Sequence, residues 1–271
     1  MKLDWNVGVY CKYVAERTRP SQELLQRIPP ITVNYVTDLG CGPGNSTELL
    51  YNAWPNVKKI IGIDSSAAMV EEAQKRLPSC QFIKENINQW NFDGIKQDII
   101  FANASLHWLP DHENLFPHLV SHLSDKGVLA IQMPNNFDEP IHTIQMPNNF
   151  DEPIHTLMGK VAAQPKWNIT RTSAYKRPLS AETYYDILSS SGCSFIDIWQ
   201  TTYYHIMPST NSIVDWVRST ILRSFVENLT NEESEEFVKE YSKEISNAYP
   251  QRKDGKILFP MPRLFIIAQK H

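Results

Sequence analysis

Asp38-Leu39-Gly40-Cys41-Gly42-Pro43-Gly44-Asn45-Ser46 follows the apolar run Val33 to Leu39 and leads into STELLYNAW, Ser46 to Trp54. A buried strand, a glycine-rich turn and a helix are expected in that order, with Asn45 or Ser46 as the natural N-cap. Glycines let the backbone turn sharply and approach a ligand with no Cβ in the way. The helix that follows presents free amides and the positive end of its dipole to an anion. A second apolar strand, Lys59 to Asp64, ends on an acid 22 residues beyond Gly42. A carboxylate there can accept hydrogen bonds from both hydroxyls of a ribose, the role of an acid at this place in dinucleotide sites. A structural turn alone would account for the glycines. The strand, the helix and Asp64 in register point further, to nucleotide binding.

The alternation continues outward. Ser66 to Arg76 reads as a helix stopped near Pro78, CQFIK as a strand and Asp98 to Ala102 as another. A helix through LFPHLVSHL and the strand GVLAIQM follow. Short apolar strands separated by helices mean a parallel sheet with helices on both faces, an α/β Rossmann-like fold. The last third changes rhythm: a helix from Ser180 to Ser191 ends at Gly192, and Ser194 to Tyr204 is a long strand. Asn211 to Ala248 is charged and mostly helical, and Leu264 to Lys270 is a final strand. Two late strands around a helical insertion predict an antiparallel C-terminal hairpin closing the sheet. No Gly/Ser-rich linker appears, so one domain over 1–271 is expected. An N-terminal helical segment, 1–30, and a helical cap inserted at about 208–250 would lie over the active site.

Residues 131–143 and 144–156 are the same 13 residues, IQMPNNFDEPIHT. Solenoids need three or more units, usually longer and diverged, so this is a tandem duplication and not an architecture. Only the first copy follows GVLA and should complete the strand; only the second runs into LMGKVA and should lead into the next helix. The surplus becomes loop, whose closure entropy grows slowly with length.

Composition narrows the partners. The chain has 271 residues, 42% of them hydrophobic, a net charge of −4 and a pI near 6.1. No Lys/Arg cluster supplies the basic stripe of a nucleic-acid enzyme. Apolar runs are strand-length, far short of the ~20 residues of a membrane span. Met1 to Asp4 is followed by no apolar signal-peptide stretch,. Cys11, Cys41, Cys80 and Cys193 have neither CxxC spacing nor disulfide density,. A cytoplasmic enzyme of small molecules, without nucleic acid, membrane or metal, is expected, as a monomer or weak homo-oligomer.

The glycine spacing bears on the cofactor. Dinucleotide sites favour G-x-G-x-x-G, whereas here Gly40, Gly42 and Gly44 alternate, with Asp38 two positions before the first. That pattern resembles motif I of class I S-adenosylmethionine-dependent methyltransferases. Asp64, the FIKEN segment and Asn103 follow in the order of the later motifs. More particular segments, TTYYHIMPS and PRLFIIA, together with DWNVGVY, AERTRPSQELLQRIP and IIFANASLHWLPDHENLFPHLVSHL, are similar to the trans-aconitate 2-methyltransferase family. The resemblance spans nearly the whole chain. It departs at the duplication and around Gln164 to Lys176. It implies a seven-stranded sheet and S-adenosylmethionine as cofactor. Asp38, Gly40, Cys41, Gly42 and Gly44 would line the methionyl end, and Asp64 would hold the ribose. Ser65 and Met69 would border the adenine, Asn86 and Ile87 cover its edge, and Asn103 lie near the methionine. Many relatives carry Asp where Asn86 stands. The implied reaction forms a monomethyl ester of trans-aconitate or a related small polycarboxylate.

That chemistry fits the absence of a recognisable acid/base pair. A carboxylate is already ionised at neutral pH, so no catalytic base is expected and catalysis comes from positioning. The other carboxylates of such an acceptor want Arg forks. Arg17 or Arg19, Arg263 and, more remotely, Arg171 and Arg177 are candidates, although a surface Arg is usually just solvated. Tyr203 could line the acceptor site or simply pack. His107 could contact the acceptor and Trp108 could wall its pocket. Cys41 has no His or Asn context for a nucleophile. Rival readings are a methyltransferase of a carrier-bound carboxylate, a cofactor-binding module without activity, and, least favoured, an NAD-dependent oxidoreductase.

Overall fold

The structure is a computed structural model and describes residues 14–135, 153–167, 169, 178–218, 222–226 and 229–271. Arg171, Arg177, Cys11, the DWNVGVY segment and most of the duplicated stretch lie outside the described residues.

After helix α1 (Val14–Gln26) come β1 (Tyr35–Leu39), α2 (Asn45–Ala53), β2 (Lys59–Asp64), α3 (Ala67–Arg76) and β3 (Gln81–Lys84). Then follow β4 (Gln97–Asn103), α4 (His112–Ser121), β5 (Leu123–Pro134), α5 (Pro153–Ala162) and α6 (Ala181–Ser190). The chain ends with β6 (Cys193–Met207), α7 (Thr210–Arg218), α8 (Leu222–Val226), α9 (Asn231–Ala248) and β7 (Ile257–Lys270). The seven strands form one sheet in the order β3-β2-β1-β4-β5-β7-β6. β1 is parallel to β2 and β4, and β4 to β5, whereas β7 runs antiparallel to β5. The expected doubly wound sheet with its C-terminal hairpin is therefore present. Strand order reverses between β1 and β4, where such sheets open a crevice at their carboxyl ends.

The chain divides into two compact units. The first comprises Met1–Pro134, Pro178–Thr201 and Arg263–His271; the second comprises Asn135–Arg177 and Thr202–Pro262. In the first, Leu39, Ile63, Ile100, Ala102, Leu129, Ile131, Leu264 and Ile266 pack with Phe116, Leu119, Tyr184 and Leu188 of α4 and α6. Each Leu, Ile or Phe among them contributes roughly 1.5–3 kcal/mol on full burial. In the second, Lys166 makes ion pairs with Glu236 and Glu240, and the hydroxyl of Tyr241 donates to the Ile154 carbonyl. A capping box between Thr230 and Glu233 starts α9,.

Two sequence expectations need correction, the N-cap of α2 and the start of the last strand. The N-cap of α2 is Gly44, at φ 89°, and not Asn45 or Ser46. The Ser46 hydroxyl is spent on Asp38 instead. The mostly helical stretch expected over Asn211 to Ala248 is present, as three helices. The last strand begins seven residues before Leu264, at Ile257. Pro260 and Pro262 obscured it in the sequence. The Pro262 carbonyl accepts from Asn135 N–H, and in a strand residues two apart point the same way. Both prolines therefore turn their missing donors to the side where β5 has ended, which the ladder tolerates.

Candidate active site

The turn after β1 takes its shape from hydrogen bonds to β2. Gly40 N–H and Cys41 N–H both donate to the Ile63 carbonyl, at 2.7 and 2.9 Å. Gly40 has φ 76°, and a Cβ there would lie 2.2 Å from that of Ser105. Ser105 in turn donates its hydroxyl proton to the Leu39 carbonyl at 2.6 Å, tying the turn after β4 to the end of β1. Only glycine admits that approach.

Asp38 lies at the floor of this turn and is fully buried. Its Oδ2 accepts from Ser46 Oγ at 2.7 Å and Thr47 Oγ1 at 2.6 Å, both in the first turn of α2. Its Oδ1 is buried with no hydrogen-bond partner among the described residues. Burial pushes its carboxyl up to about 6, the two hydroxyl bonds opposing the rise and the charge of Asp64 adding to it. Half of a buried carboxylate is thus satisfied by protein, and the other half offers an acceptor to a cationic or N–H group.

Asp64, at the end of β2, has an organising role that its sequence position did not reveal. Its Oδ2 accepts from Gly42 N–H at 3.0 Å and its Oδ1 from Ser66 N–H at 2.9 Å. The carboxylate orients the glycine turn and the start of α3 together. Each oxygen retains acceptor capacity for a hydroxyl. Ser66 caps α3 by accepting from Met69 N–H at 3.2 Å, which seats the buried Met69; Ser65 is exposed. Asn86 is exposed and its Oδ1 accepts from Asn88 N–H, capping the turn that carries the half-buried Ile87. The Cys41 thiol is buried and raised well above its ordinary range by burial, then by Asp38 and Asp64. A thiol held protonated is no nucleophile.

Sheet register gathers the polar residues. Leu39, Ala102, Ile131, Met133 and Leu264 face the core under α4 and α6, so Asp38, Asn103, Gln132 and Arg263 face the opposite side. Asn103 pairs with Gln132, Gln132 with Phe265, and Pro134 with Arg263. Helix α1 packs against α2 and β5, and Arg27 just beyond it lies over Trp199, which stacks on Phe265. α1 therefore covers this second face. Besides Asp38 Oδ1, the atoms Thr18 Oγ1, Ser21 Oγ, Asn45 Oδ1, Asn103 Oδ1 and Gln132 Nε2 are buried without a partner among the described residues. Native interiors hold few such atoms, and each costs roughly 1–3 kcal/mol. Their concentration on α1, the first turn of α2 and the carboxyl ends of β1, β4 and β5 marks a ligand site.

The arginines separate. Arg19 is exposed and pairs with Glu23 at 3.0 Å, whereas Arg17 has its Nε buried and Arg263 is 6% exposed. His107 is buried and Trp108 half-buried, on a short 3-10 turn with ring centroids 4.9 Å apart. That turn is anchored by a residue overlooked in the sequence, His112. Its Nε2 lies 2.9 Å from the Leu106 carbonyl and its Nδ1 2.6 Å from the Tyr184 hydroxyl. A carbonyl only accepts, so Nε2 carries the proton, and burial, lowering the affinity for a second proton, keeps the ring neutral. Tyr203 belongs to the second unit, where it is buried and stacks on His205 at 6.4 Å, and His205 stacks in turn on Trp216 at 5.2 Å.

The cofactor implied by the resemblance fits. An amino-acid ammonium suits Asp38 Oδ1, ribose hydroxyls suit Asp64, and the Gly40 turn leaves room for close approach. Among the described residues no cluster of His, Cys, Asp or Glu could hold a metal, and no helix is long and apolar enough to cross a membrane.

A family model described as a methyltransferase domain matches residues 36–127. Trans-aconitate 2-methyltransferases of Escherichia coli O139:H28, Shigella dysenteriae serotype 1 and Escherichia fergusonii are 48% identical, with 98% of this chain and 98% of each relative covered. Among solved structures, the Bacillus YcgJ protein superposes with a TM-score of 0.60 at 14% identity, covering 93% of this chain and 98% of that one. A putative methyltransferase of Bacillus halodurans gives 0.56 at 16% identity, covering 93% and 99%. A Haemonchus contortus phosphoethanolamine N-methyltransferase, solved with S-adenosylhomocysteine, gives 0.55 at 14% identity, covering 93% of this chain and 52% of that one.

Proposed function

Because the chain belongs to the trans-aconitate 2-methyltransferase family of S-adenosylmethionine-dependent enzymes, we propose that it esterifies one carboxylate of trans-aconitate or a closely related small polycarboxylate. S-adenosylmethionine, when bound, supplies an electrophilic methyl group on a sulfonium centre. The protein's share is binding and orientation. Asp38 Oδ1 accepts from the ammonium of the methionyl end, while Ser46 and Thr47 hold Asp38 in place. Asp64 receives the ribose hydroxyls and simultaneously fixes the Gly42 amide. Met69 and Ile87 supply apolar surface to the adenine, Ser65 and Asn86 its polar edge, and Asn103 borders the methionine. Cys41 and Gly44 shape the turn.

On the acceptor side, Arg17 and Arg263 provide positive charge for carboxylates, and His107 and Trp108 bound the pocket. No group needs to remove a proton, since the nucleophile is already an anion. Alignment of that oxygen with the methyl group, in a site shielded from water by α1, is the main source of rate. Three of the cysteines, Cys41, Cys80 and Cys193, are free thiols, which supports a reducing compartment, the cytoplasm.

The observation that carries the reading is the half-satisfied Asp38 at the crevice between β1 and β4. Incubation with methyl-labelled S-adenosylmethionine and a panel of di- and tricarboxylates tests it. Base-labile label in an ester of trans-aconitate is the expected result. Labelling of a carrier protein instead, or cofactor binding without turnover of any carboxylate, would refute it.

A further inference from the structure

The apolar run of β5 is interrupted by one amide, Gln132, which is 1% exposed. Its Nε2 has no hydrogen-bond partner among the described residues. Leu or Met would fill the same space without desolvating an N–H group, so packing gives no account of it. Its place in the sheet does. Gln132 stands between Asn103 on β4 and Phe265 on β7, on the face that also carries Asp38. Arg263 lies two residues along β7 from Phe265 on that face, a diagonal neighbour of Gln132 with Cβ atoms within roughly 7–8 Å.

Strand spacing separates the roles along this face. Neighbouring strands lie about 4.8 Å apart, and Gln132 lies two residues beyond Ala130, which is level with Asp38 across β4, so Gln132 is about 12 Å from Asp38. The methionyl end belongs to β1 and the edge of β4, at the reversal of strand order. An amide on β5 beside a buried guanidinium on β7 faces what lies beyond it, the acceptor. One N–H donor and one guanidinium on the same side make a carboxylate subsite.

We propose that Gln132 is a specificity-determining residue for the acceptor, its Nε2–H donating to a non-reacting carboxylate that Arg263 draws onto the same sheet face. This rests on the carboxyl-methylation reading above. Gln132 also has a copy, Gln145, at the same place in the second repeat.

The test uses the full-length protein, the variants Q132M and Q132M/Q145M, and calorimetric titration of trans-aconitate in the presence of S-adenosylhomocysteine. Both variants are expected to bind the cofactor product within about twofold of wild type and trans-aconitate roughly 10- to 100-fold more weakly. Loss of the orphaned N–H should raise Tm of the ligand-free protein by roughly 2–4 °C. In turnover, both should lose the preference of wild type for trans-aconitate over fumarate, which lacks the third carboxylate. Wild-type affinity for trans-aconitate in Q132M overturns the proposal, whatever the double variant does. So does a loss confined to S-adenosylhomocysteine, which would assign the amide to the cofactor's carboxylate. Should Q132M fail to fold, Q132N, which keeps an amide one methylene short, is read in the same way. A wild-type protein that methylates no carboxylate refutes instead the reading on which this rests.

Discussion

Lowering the pH through about 6 should weaken cofactor binding, because Asp38 takes up a proton there in the ligand-free protein. Burial moves its carboxyl from 3.8 to about 6, a displacement worth about 3 kcal/mol at 1.36 kcal/mol per unit. An acid whose folded value is raised holds its proton more tightly folded than unfolded. Its contribution to stability is therefore complete below about pH 4 and is lost as pH rises through about 6. The ligand-free protein at neutral pH carries this cost, and an ammonium brought to the unpartnered Oδ1 offsets it. Below the transition the cofactor must displace a proton, and affinity falls toward tenfold per pH unit. Titration calorimetry at pH 5 and pH 7.5, in two buffers of different ionisation enthalpy, reads both quantities. Affinity should be about tenfold weaker at pH 5, with nearly one proton released, against almost none at pH 7.5. Asp38→Asn keeps the shape and removes the charge. It should raise Tm at pH 7.5, bind the cofactor about 10- to 100-fold more weakly and abolish the pH dependence. Equal wild-type affinities at the two pH values without proton release, or an Asn variant binding like wild type, would refute the role given to Asp38.

Asp64→Ala should cost about 1.5–3 kcal/mol of cofactor affinity, measured by the same titration; wild-type affinity would remove Asp64 from the site. Because Asp64 also accepts from Gly42 and Ser66 amides, the variant should in addition melt lower in the absence of ligand. The chemical step in single turnover with saturating ligands should be nearly flat between about pH 6.5 and 8.5, since a carboxylate acceptor and its Arg partners keep their charges there. A first-order rise over that range would show a required base and exclude a carboxylate nucleophile. Deletion of residues 144–156 should leave a folded protein with unchanged cofactor affinity. The repeat is identical, so the same chain results from deleting 131–143, and Ile141 then takes the place of Ile154 beneath the hydroxyls of Tyr241 and Tyr249. Loss of folding on that deletion would make the second copy structural.

Much of the first unit was legible in the residues themselves. The strand-turn-helix around Gly40, the acid ending β2 and the helix stop at Gly192 are local: glycine conformational freedom, apolar periodicity and capping act within a few positions. Ser46 and Thr47 were visible as polar residues in a first helical turn, but their partner, Asp38, depends on how that turn folds back on β1. The start of β7 stayed hidden because Pro260 and Pro262 argue against a strand until the end of β5 is known. Gln132 drew no notice in the sequence, because no local rule says which face a lone amide in an apolar strand takes.

The residues along the chain determined that a parallel sheet with a cofactor turn would form, because those signals are short-range and written in residue type. Only the tertiary structure decided which polar groups meet. It separated Arg263, which is buried, and Arg17, whose Nε is buried, from Arg19, which spends itself on Glu23 in solvent. It placed Asp38, Asn103, Gln132 and Arg263 on one face through registers that join β1, β4, β5 and β7. The physical reason is that register and burial arise from pairing between strands far apart in the chain, and the desolvation that raises Asp38 exists only once those strands and α2 have closed around it.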